Sequence, residues 1–562
     1  MIETPCLVVG AGPVGLMAGI LLGQGGLSTQ VIDQDSGTQE SPAAHVVNAR
    51  TLEICRQAGL DSAALAKIVK PPEDAGHALF VTRLNGEVVG QLPFERQGEE
   101  CLRFTPTPLR NISQNRFESF LESELTRTAE TTLNYQHRWE SAEQDDEGVT
   151  SKVRDLKTDE LLEIRSRYLI AADGAGSRIR KSLGIEMDGP PRLQSFVMIH
   201  VQIDLRNLVR DRPGVLYWIL DPAAGGVFVA HDIDREWVYM HEFDSDRESL
   251  DDYDEARCRA LVTQAIGQEY PMQIRNRLTW TMSAQTASTV RDRRIFLVGD
   301  AAHRFPPTGG LGLNTGIQDT HALAWRLNAI EKGWANASLL ESYAVERVPV
   351  AQNNAEQSLR NASKLLAIPA ALGTLEEAST TRMQATLDSP EGRTRVEASI
   401  ADQAEHFDML GLQLGYVYTS QAILSDTHPT PTVDNPVREY APSGQPGARL
   451  PHTWLRRGNE KISSLDLIRP NGFTLLTRDD PADWSEAVSA CAAWPIELVK
   501  IEADEEEEKG AWSRACGLES GGAILVRPDQ HVAWRSPSKP EDPSSSLMRV
   551  LNSITPHTEA RL

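Results

Sequence analysis

Residues 6–33 admit few folds. Cys6 to Val9 is an apolar run of strand length, Gly10-Ala-Gly-Pro-Val-Gly15 follows at once, an apolar helical pattern runs through Leu22, and a second strand ends at Val31-Ile32-Asp33. Glycines at that spacing permit a tight turn and let main chain approach a phosphate, while the helix start offers unpaired amides to an anion. The glycine pattern alone is a weak signal. Set between strand and helix, with an acid closing the second strand, it specifies the first βαβ unit of a dinucleotide-binding sheet. Gly10, Gly12, Pro13, Val14 and Gly15 are expected at a pyrophosphate, and Asp33, followed by Gln34, at a ribose.

A second stretch, Arg294 to Asp319, names the other half of the ligand. Ile295 to Val298 is a buried-strand pattern, and Gly299 turns the chain so that Asp300 faces a polyol instead of the core. Gly309, Gly310 and Gly312 remove side chains where a flat ring meets main chain, and Leu313 to Leu327 has helical periodicity. The positive end of that helix suits a ring that becomes anionic on reduction, which is a flavin. Asp300 is expected on the ribityl hydroxyls, and Gly310, Gly312, Leu313 and Asn314 along the isoalloxazine edge, with main-chain amides as donors. Gly310 to Gly316 is one residue too long to be another dinucleotide fingerprint, so one nucleotide stays bound.

Between these lies Arg167-Tyr-Leu-Ile-Ala-Ala-Asp-Gly-Ala-Gly-Ser-Arg-Ile-Arg180, an apolar strand running through Asp173-Gly174 into a helix start. With all three signatures in this order, the sequence resembles the single-component FAD-dependent aromatic hydroxylases, the family that includes para-hydroxybenzoate hydroxylase and phenol hydroxylase. Pro446 to Leu455 and Ala523 to Trp534 resemble the carboxy-terminal part of the phenol and 2,4-dichlorophenol hydroxylase branch. The likeness covers most of the chain.

It implies an α/β fold with a discontinuous Rossmann-like FAD domain (1–185 and 285–355) and a β-sheet substrate domain (75–100 and 186–284). A helical segment (356–425) and a C-terminal thioredoxin-like domain (426–562) follow. The short aromatic and β-branched runs at Phe196–Val201, Val215–Leu220, Val227–Ala230 and Trp237–Met240 read as an antiparallel sheet over the cofactor. Pro429, Pro431, Pro436, Pro442 and Pro446 mark a loose connection. Cys491-Ala-Ala-Trp494 lacks the second thiol of a redox pair, which leaves packing or dimer contact as the role of the last module.

The implied reaction is aromatic hydroxylation of a phenolic or polyketide-like ring by a flavin C4a-hydroperoxide, using O2 and transient NADPH or NADH, with FAD held tightly but without a covalent link. Gln114 matches a family position that touches the cofactor. Asp173, Ser177 and Arg180 either bridge phosphate and nicotinamide nucleotide or cap a helix. Family members carry Pro-Arg-Ala where this chain has Ala43, and Asp33 is followed by Gln34 where arginine is common. His45 falls where a phenol hydroxylase places an acid near the substrate hydroxyl, so it is the candidate catalytic base; packing is the competing reading. Pro306 and Pro307 fix a turn whose carbonyls face the substrate hydroxyl, and Arg50, Glu53 and His303 read as structural. Alternation along the middle sheet makes Tyr217, Tyr239 and His200 the substrate candidates. A flavin dehydrogenase or oxidase that inserts no oxygen needs the same cradle, and a non-catalytic flavin-fold binding protein keeps the same fold.

A net charge of -23 argues against nucleic acid or anionic membrane as partner. There is no apolar stretch of about 20 residues, and Met1-Ile2-Glu3 lacks a basic leader. Six scattered cysteines show neither metal spacing nor C-x-x-C, which fits the cytoplasm, and the run Asp504 to Glu508 reads as a solvated loop.

Overall fold

The computed structural model describes residues 2–427, 431–478, 480–502 and 510–556; Met1, Pro429 and the acidic run at 504–508 lie outside them. The first strand, Ile2–Val9, lies inside an eight-stranded sheet, parallel to Thr29–Ile32 on one side and to Leu161–Ala171 on the other. Leu161–Ala171 in turn pairs in parallel with Ile295–Leu297, so strands from three distant parts of the chain end side by side. Two helices rise from those ends: Pro13–Gln24 after the first strand and Gly312–Glu331 after the last. Small residues let them touch. A Cβ on Gly316 would stand 2.6 Å from Val14 Cγ2 and 2.9 Å from Gly299 Cα.

A seven-stranded sheet stands beside this layer, in the order Gln273–Met282, Gln194–Gln202, Glu236–Glu242, Gly226–Asp232, Leu216–Ile219, His77–Val81, Val88–Pro93. It is antiparallel except where Leu216–Ile219 runs parallel to His77–Val81, because that strand arrives by a long crossover from early in the chain. One face buries Val197, Ile199, Tyr217, Phe228, Trp237 and Tyr239 in a core with helix Glu255–Ile266. The opposite face carries Phe80 and Trp218, which pack with Val215, with Phe94 just past strand Val88–Pro93, with Val46 from the first domain and with Ile368, Leu387 and Phe407 from the helical segment.

That segment comprises helices Glu341–Leu365, Ala367–Leu372, Thr380–Asp388, Pro390–Ala401 and Leu410–Leu414. The C-terminal module is a four-stranded sheet ordered Ile496–Lys500, Phe473–Thr477, Ala523–Val526, Val532–Ser536, the first pair parallel and the others antiparallel, with Pro543–Ile554 packed on Ala482–Ala490. This βαβ unit followed by a hairpin and a helix is the thioredoxin-like arrangement. Cys491 caps the first of its helices, fully buried, and burial raises its thiol. The described cysteines are all free and buried, and no described helix is long and apolar enough to cross a membrane.

Candidate active site

Each glycine of the first loop has its own reason. Gly10 sits at φ +107°, where an added Cβ would meet Ala172 O at 2.2 Å, and a Cβ on Gly15 would meet Gly10 O at 1.8 Å. The fold itself demands both. Gly12 differs: a Cβ there meets nothing within 4 Å, so the protein leaves a free surface at the start of helix Pro13–Gln24, whose N-cap has no side-chain hydrogen bond. First-turn amides facing such a surface suit a pyrophosphate. Asp33 braces the loop, accepting from Ala11 N at 2.6 Å and from Asp35 N at 2.8 Å, and Gln34 is exposed beside it.

The second cradle repeats this pattern. Helix Gly312–Glu331 also starts without a side-chain cap, and the nearest atom to a Cβ on Gly312 would be Asp300 Oδ1 at 4.0 Å. Asp300 presents an accessible carboxylate in this concavity, and desolvation by the surrounding protein raises its pKa above the usual carboxylate range. Gly310, at φ +62°, lies against Val46, where a Cβ would stand 2.6 Å from Val46 Cβ. The side chain of Asn314 is wholly used by the protein. It donates to Val46 O and Gly310 O at 2.9 and 2.6 Å and accepts from Asn48 N and Thr51 Oγ1, both at 2.8 Å. Only the main chain of Asn314 is therefore left to meet a ligand in this cradle.

Several candidates turn inward. Asp173 accepts from Ser177 Oγ at 2.6 Å and Ile179 N at 3.2 Å, Ser177 caps Arg180 N, and Arg180 donates to Ala301 O: this is helix capping, the second of the two readings above. Gln114 fastens the loop before His45, donating its main-chain N–H to Ala44 O at 2.8 Å and accepting from Ala44 N at 3.2 Å. Pro307 is exposed and its carbonyl accepts from Gly310 N at 3.0 Å, which commits it to the glycine turn. His303 is buried on Asp319 at 2.7 Å.

Tyr217 and Tyr239 require correction. Both lie on the sheet face covered by helix Glu255–Ile266, with their hydroxyls donating to Arg212 O and Ala224 O. The face toward the first domain carries the alternate residues, among them His200, which lies 3.4 Å from Glu236, and His231. His231 had no sequence signal. It is buried, neither ring nitrogen has a partner, and its ring stands edge-on to His45 at 6.0 Å. His45 also lies 5.8 Å from Phe94, which leads to Phe407 at 6.0 Å.

The tautomer of His45 follows from its partner. Asn111 donates through Nδ2 to Gln97 Oε1 at 3.1 Å, so its Oδ1 is the atom facing His45 Nδ1 at 2.8 Å and must accept. Nδ1 thus carries the proton, and Nε2 is left as an acceptor. Burial, with Lys70 nearby, lowers His45 to a pKa of about 4. Lys70 is itself buried, donates to Ala230 O at 2.6 Å, and is lowered by desolvation to about 7.

The first 358 residues and the last module are independently diagnostic. A model described as an FAD binding domain matches residues 3–358, and one described as the C-terminal part of aromatic-ring hydroxylases matches 443–555. The chain belongs to the FAD-dependent aromatic hydroxylases. This hydroxylase is similar to 2,4-dichlorophenol 6-monooxygenase of Delftia acidovorans, at 32% identity covering 99% of this chain and 98% of the relative. It is also similar to tetracenomycin A2 monooxygenase-dioxygenase of Streptomyces glaucescens, at 30% identity over 99% and 97%. Among solved structures, the flavin-dependent monooxygenase PieE, in complex with FAD and substrate, superposes with a TM-score of 0.92 at 32% identity, covering 98% of this chain and 99% of that one. The hydroxylase binds FAD, and the two uncapped helix starts, with Gly12, Gly312 and Asp300 around them, fit a dinucleotide that ends in a flat ring.

Proposed function

We propose that this hydroxylase inserts one atom of O2 into a phenolic ring, of the size range between a substituted phenol and a fused polyketide, held against the sheet face that bears His231. The observation that carries this is the fixed tautomer of His45, whose Nε2 is an acceptor beside the aromatic wall of Phe94 and Phe407. Bound FAD, reduced by NAD(P)H, activates dioxygen and supplies an electrophilic oxygen atom. The protein's residues prepare the ring for it.

His45 accepts the phenolic O–H. With His45 at about 4 and a phenol near 10, complete transfer in the resting complex costs roughly 8 kcal/mol, so the proton stays on the phenol until the ring gains positive charge. His45 is then an acceptor tuned for the transition state, which refines its assignment as a base. The apolar residues Val46, Phe94 and Phe407 exclude water from the reacting ring. Asp300 would hold the polyol hydroxyls of the cofactor, the main-chain amides of Leu313 and Asn314 would serve its ring system as donors, and Asp33 would serve the ribose. Buried free thiols throughout support a reducing, cytoplasmic setting.

A panel of phenols tests the proposal, scoring stimulation of NAD(P)H oxidation together with product mass under labelled dioxygen. One phenol or polyketide should yield a product carrying one labelled oxygen atom. Stimulated oxidation that returns only peroxide across the panel refutes hydroxylation and favours an oxidase.

A further inference from the structure

Seven charged side chains lie buried where the C-terminal module meets the first domain: Arg50, Arg326, Arg449 and Arg527 with Glu53, Glu346 and Asp529, each no more than 2% exposed. Arg527 grips Glu346 with two bonds of 2.7 and 2.8 Å and bonds Asp529 through Nε at 3.0 Å; Arg449 reaches Glu53 at 2.8 Å. Four guanidiniums share three carboxylates, and Arg50 relies partly on neutral acceptors. It meets Glu53 at 3.1 Å, and from the module it receives Asp529 O at 2.7 Å and Gln530 Oε1 at 2.6 Å.

Gln530 stands at φ +63° in the turn between strands Ala523–Val526 and Val532–Ser536, a position where glycine would be free of strain. Its amide is used at both ends, since Nε2 donates to Leu465 O at 3.3 Å. Arg50 lies on helix Ala49–Gln57, whose N-terminal residues Asn48 and Thr51 hold Asn314 at the cofactor cradle. Gln57, at the other end of this helix, donates to Pro528 O at 2.8 Å. One turn of the module thus holds the helix at two points, and the helix carries His45 to Asn48 against the cofactor loop.

We propose that the Arg527–His531 turn is a positioning element of the FAD site, with Gln530 acting through Arg50 to set helix Ala49–Gln57. This chain has Ala43 on the same segment, so nothing at that position ties the loop down by charge. The inference rests on the assignment of residues 45–48 to the cofactor and substrate edge.

Gln530→Leu removes the acceptor at similar volume, and Gln530→Glu keeps an acceptor for Arg50 while giving up the Nε2 donor to Leu465 O, which isolates the Arg50 contact. FAD titration of the stripped protein, the visible spectrum of bound flavin and the melting temperature of the FAD-free protein are measured for each. Gln530→Leu should weaken FAD binding about tenfold and perturb the flavin absorption bands, in addition to the lower FAD-free melting temperature that stranding Arg50 and Leu465 O brings, and Gln530→Glu should recover affinity and spectrum. Unchanged affinity and spectrum in Gln530→Leu overturn the proposal, as does failure of Gln530→Glu to rescue. Should Gln530→Leu not fold, Arg50→Lys keeps the charge but loses the fork, and wild-type FAD affinity in that variant is equally fatal. A wild-type protein that takes up no FAD would instead defeat the cofactor-site assignment itself.

Discussion

Asn314 Oδ1 accepts the main-chain N–H of Asn48 at 2.8 Å, a bond that spans 266 residues of sequence and joins the loop bearing His45 to the helix that starts at the flavin cradle. The same side chain satisfies Thr51, Val46 and Gly310, so its removal strands several buried polar groups at once. Asn314→Ala should destabilise the folded protein by about 3 kcal/mol, since one buried group left without a partner costs about 1–3 kcal/mol and some will find water. FAD affinity should fall by more than tenfold. Chemical denaturation with and without FAD measures both; a variant as stable as wild type would mean that the loop is held elsewhere.

The glycine loop permits a separation of folding from binding. Gly10→Ala drives a methyl into Ala172 O in a left-handed conformation, and should reduce soluble expression sharply. Gly12→Ala meets no protein atom and should fold with a circular dichroism spectrum and FAD-free melting temperature near wild type, yet bind FAD at least tenfold more weakly. If Gly12→Ala binds FAD normally, the pyrophosphate does not lie on that surface.

For His45, the sequence supplied position but not environment. His45→Ala should lower kcat/KM for the phenolic substrate by 10- to 100-fold, the effect of losing one hydrogen bond that strengthens in the transition state. More peroxide should form per NAD(P)H. Because burial holds His45 near 4, the wild-type rate should show no inflection near 6.5 attributable to this residue. Asn111→Leu should lower the rate several-fold by releasing the tautomer lock at Nδ1. A pH profile with a clear histidine-like limb near 6.5 that vanishes in His45→Ala would contradict the buried, neutral assignment.

Local signals were legible because their chemistry is local. The loop Gly10–Gly15, the Asp300 turn and the helix from Gly312 depend on spacing along a few residues, and spacing is what a sequence displays. The middle sheet shows where this stops. Alternation made Tyr217, Tyr239 and His200 candidates together but could not say which face each takes, because that depends on helix Glu255–Ile266 packing over the two tyrosines and not over His200. His231, Asn111 and Phe94 meet His45 from separate elements with no motif between them. Arg50 and Glu53 read as braces for their own helix, and they are, through a 3.1 Å pair. Their partners Gln530 and Arg449 lie nearly 400 residues or more away, beyond any periodicity.

Tyr217→Phe and Tyr239→Phe follow from that correction. Each removes a hydroxyl whose partner is a main-chain carbonyl on the helix-covered side of the sheet. Each should cost about 1 kcal/mol of stability and leave KM for the aromatic substrate within a factor of two. A tenfold rise in KM for either variant would return that tyrosine to the substrate surface.

Buried histidines set the acid limit of the fold. His321, His406 and His452 are each held at about 3, chiefly by desolvation, with Arg50 adding repulsion at His321 and Arg449 at His452. Since the folded pKa lies below the unfolded value near 6.5, the unfolded chain binds more protons between those two values, and stability falls as pH drops through that window. Each such group contributes about 1.4 kcal/mol per pH unit, so the three together approach about 4 kcal/mol per unit below pH 6. Glu95 has the opposite sign. Burial raises its carboxyl to about 8, so its contribution is complete below 4.5 and lost as pH rises through 8. Lys70, lowered by burial to about 7, opposes Glu95, because the unfolded chain binds the extra proton above that pH and stability then rises with pH. Melting temperatures should therefore drop steeply on the acid side and stay nearly level between about pH 7 and 8, where the two groups offset each other; Glu95→Gln should turn that level stretch into a rise, and an unchanged profile would place the responsible group elsewhere.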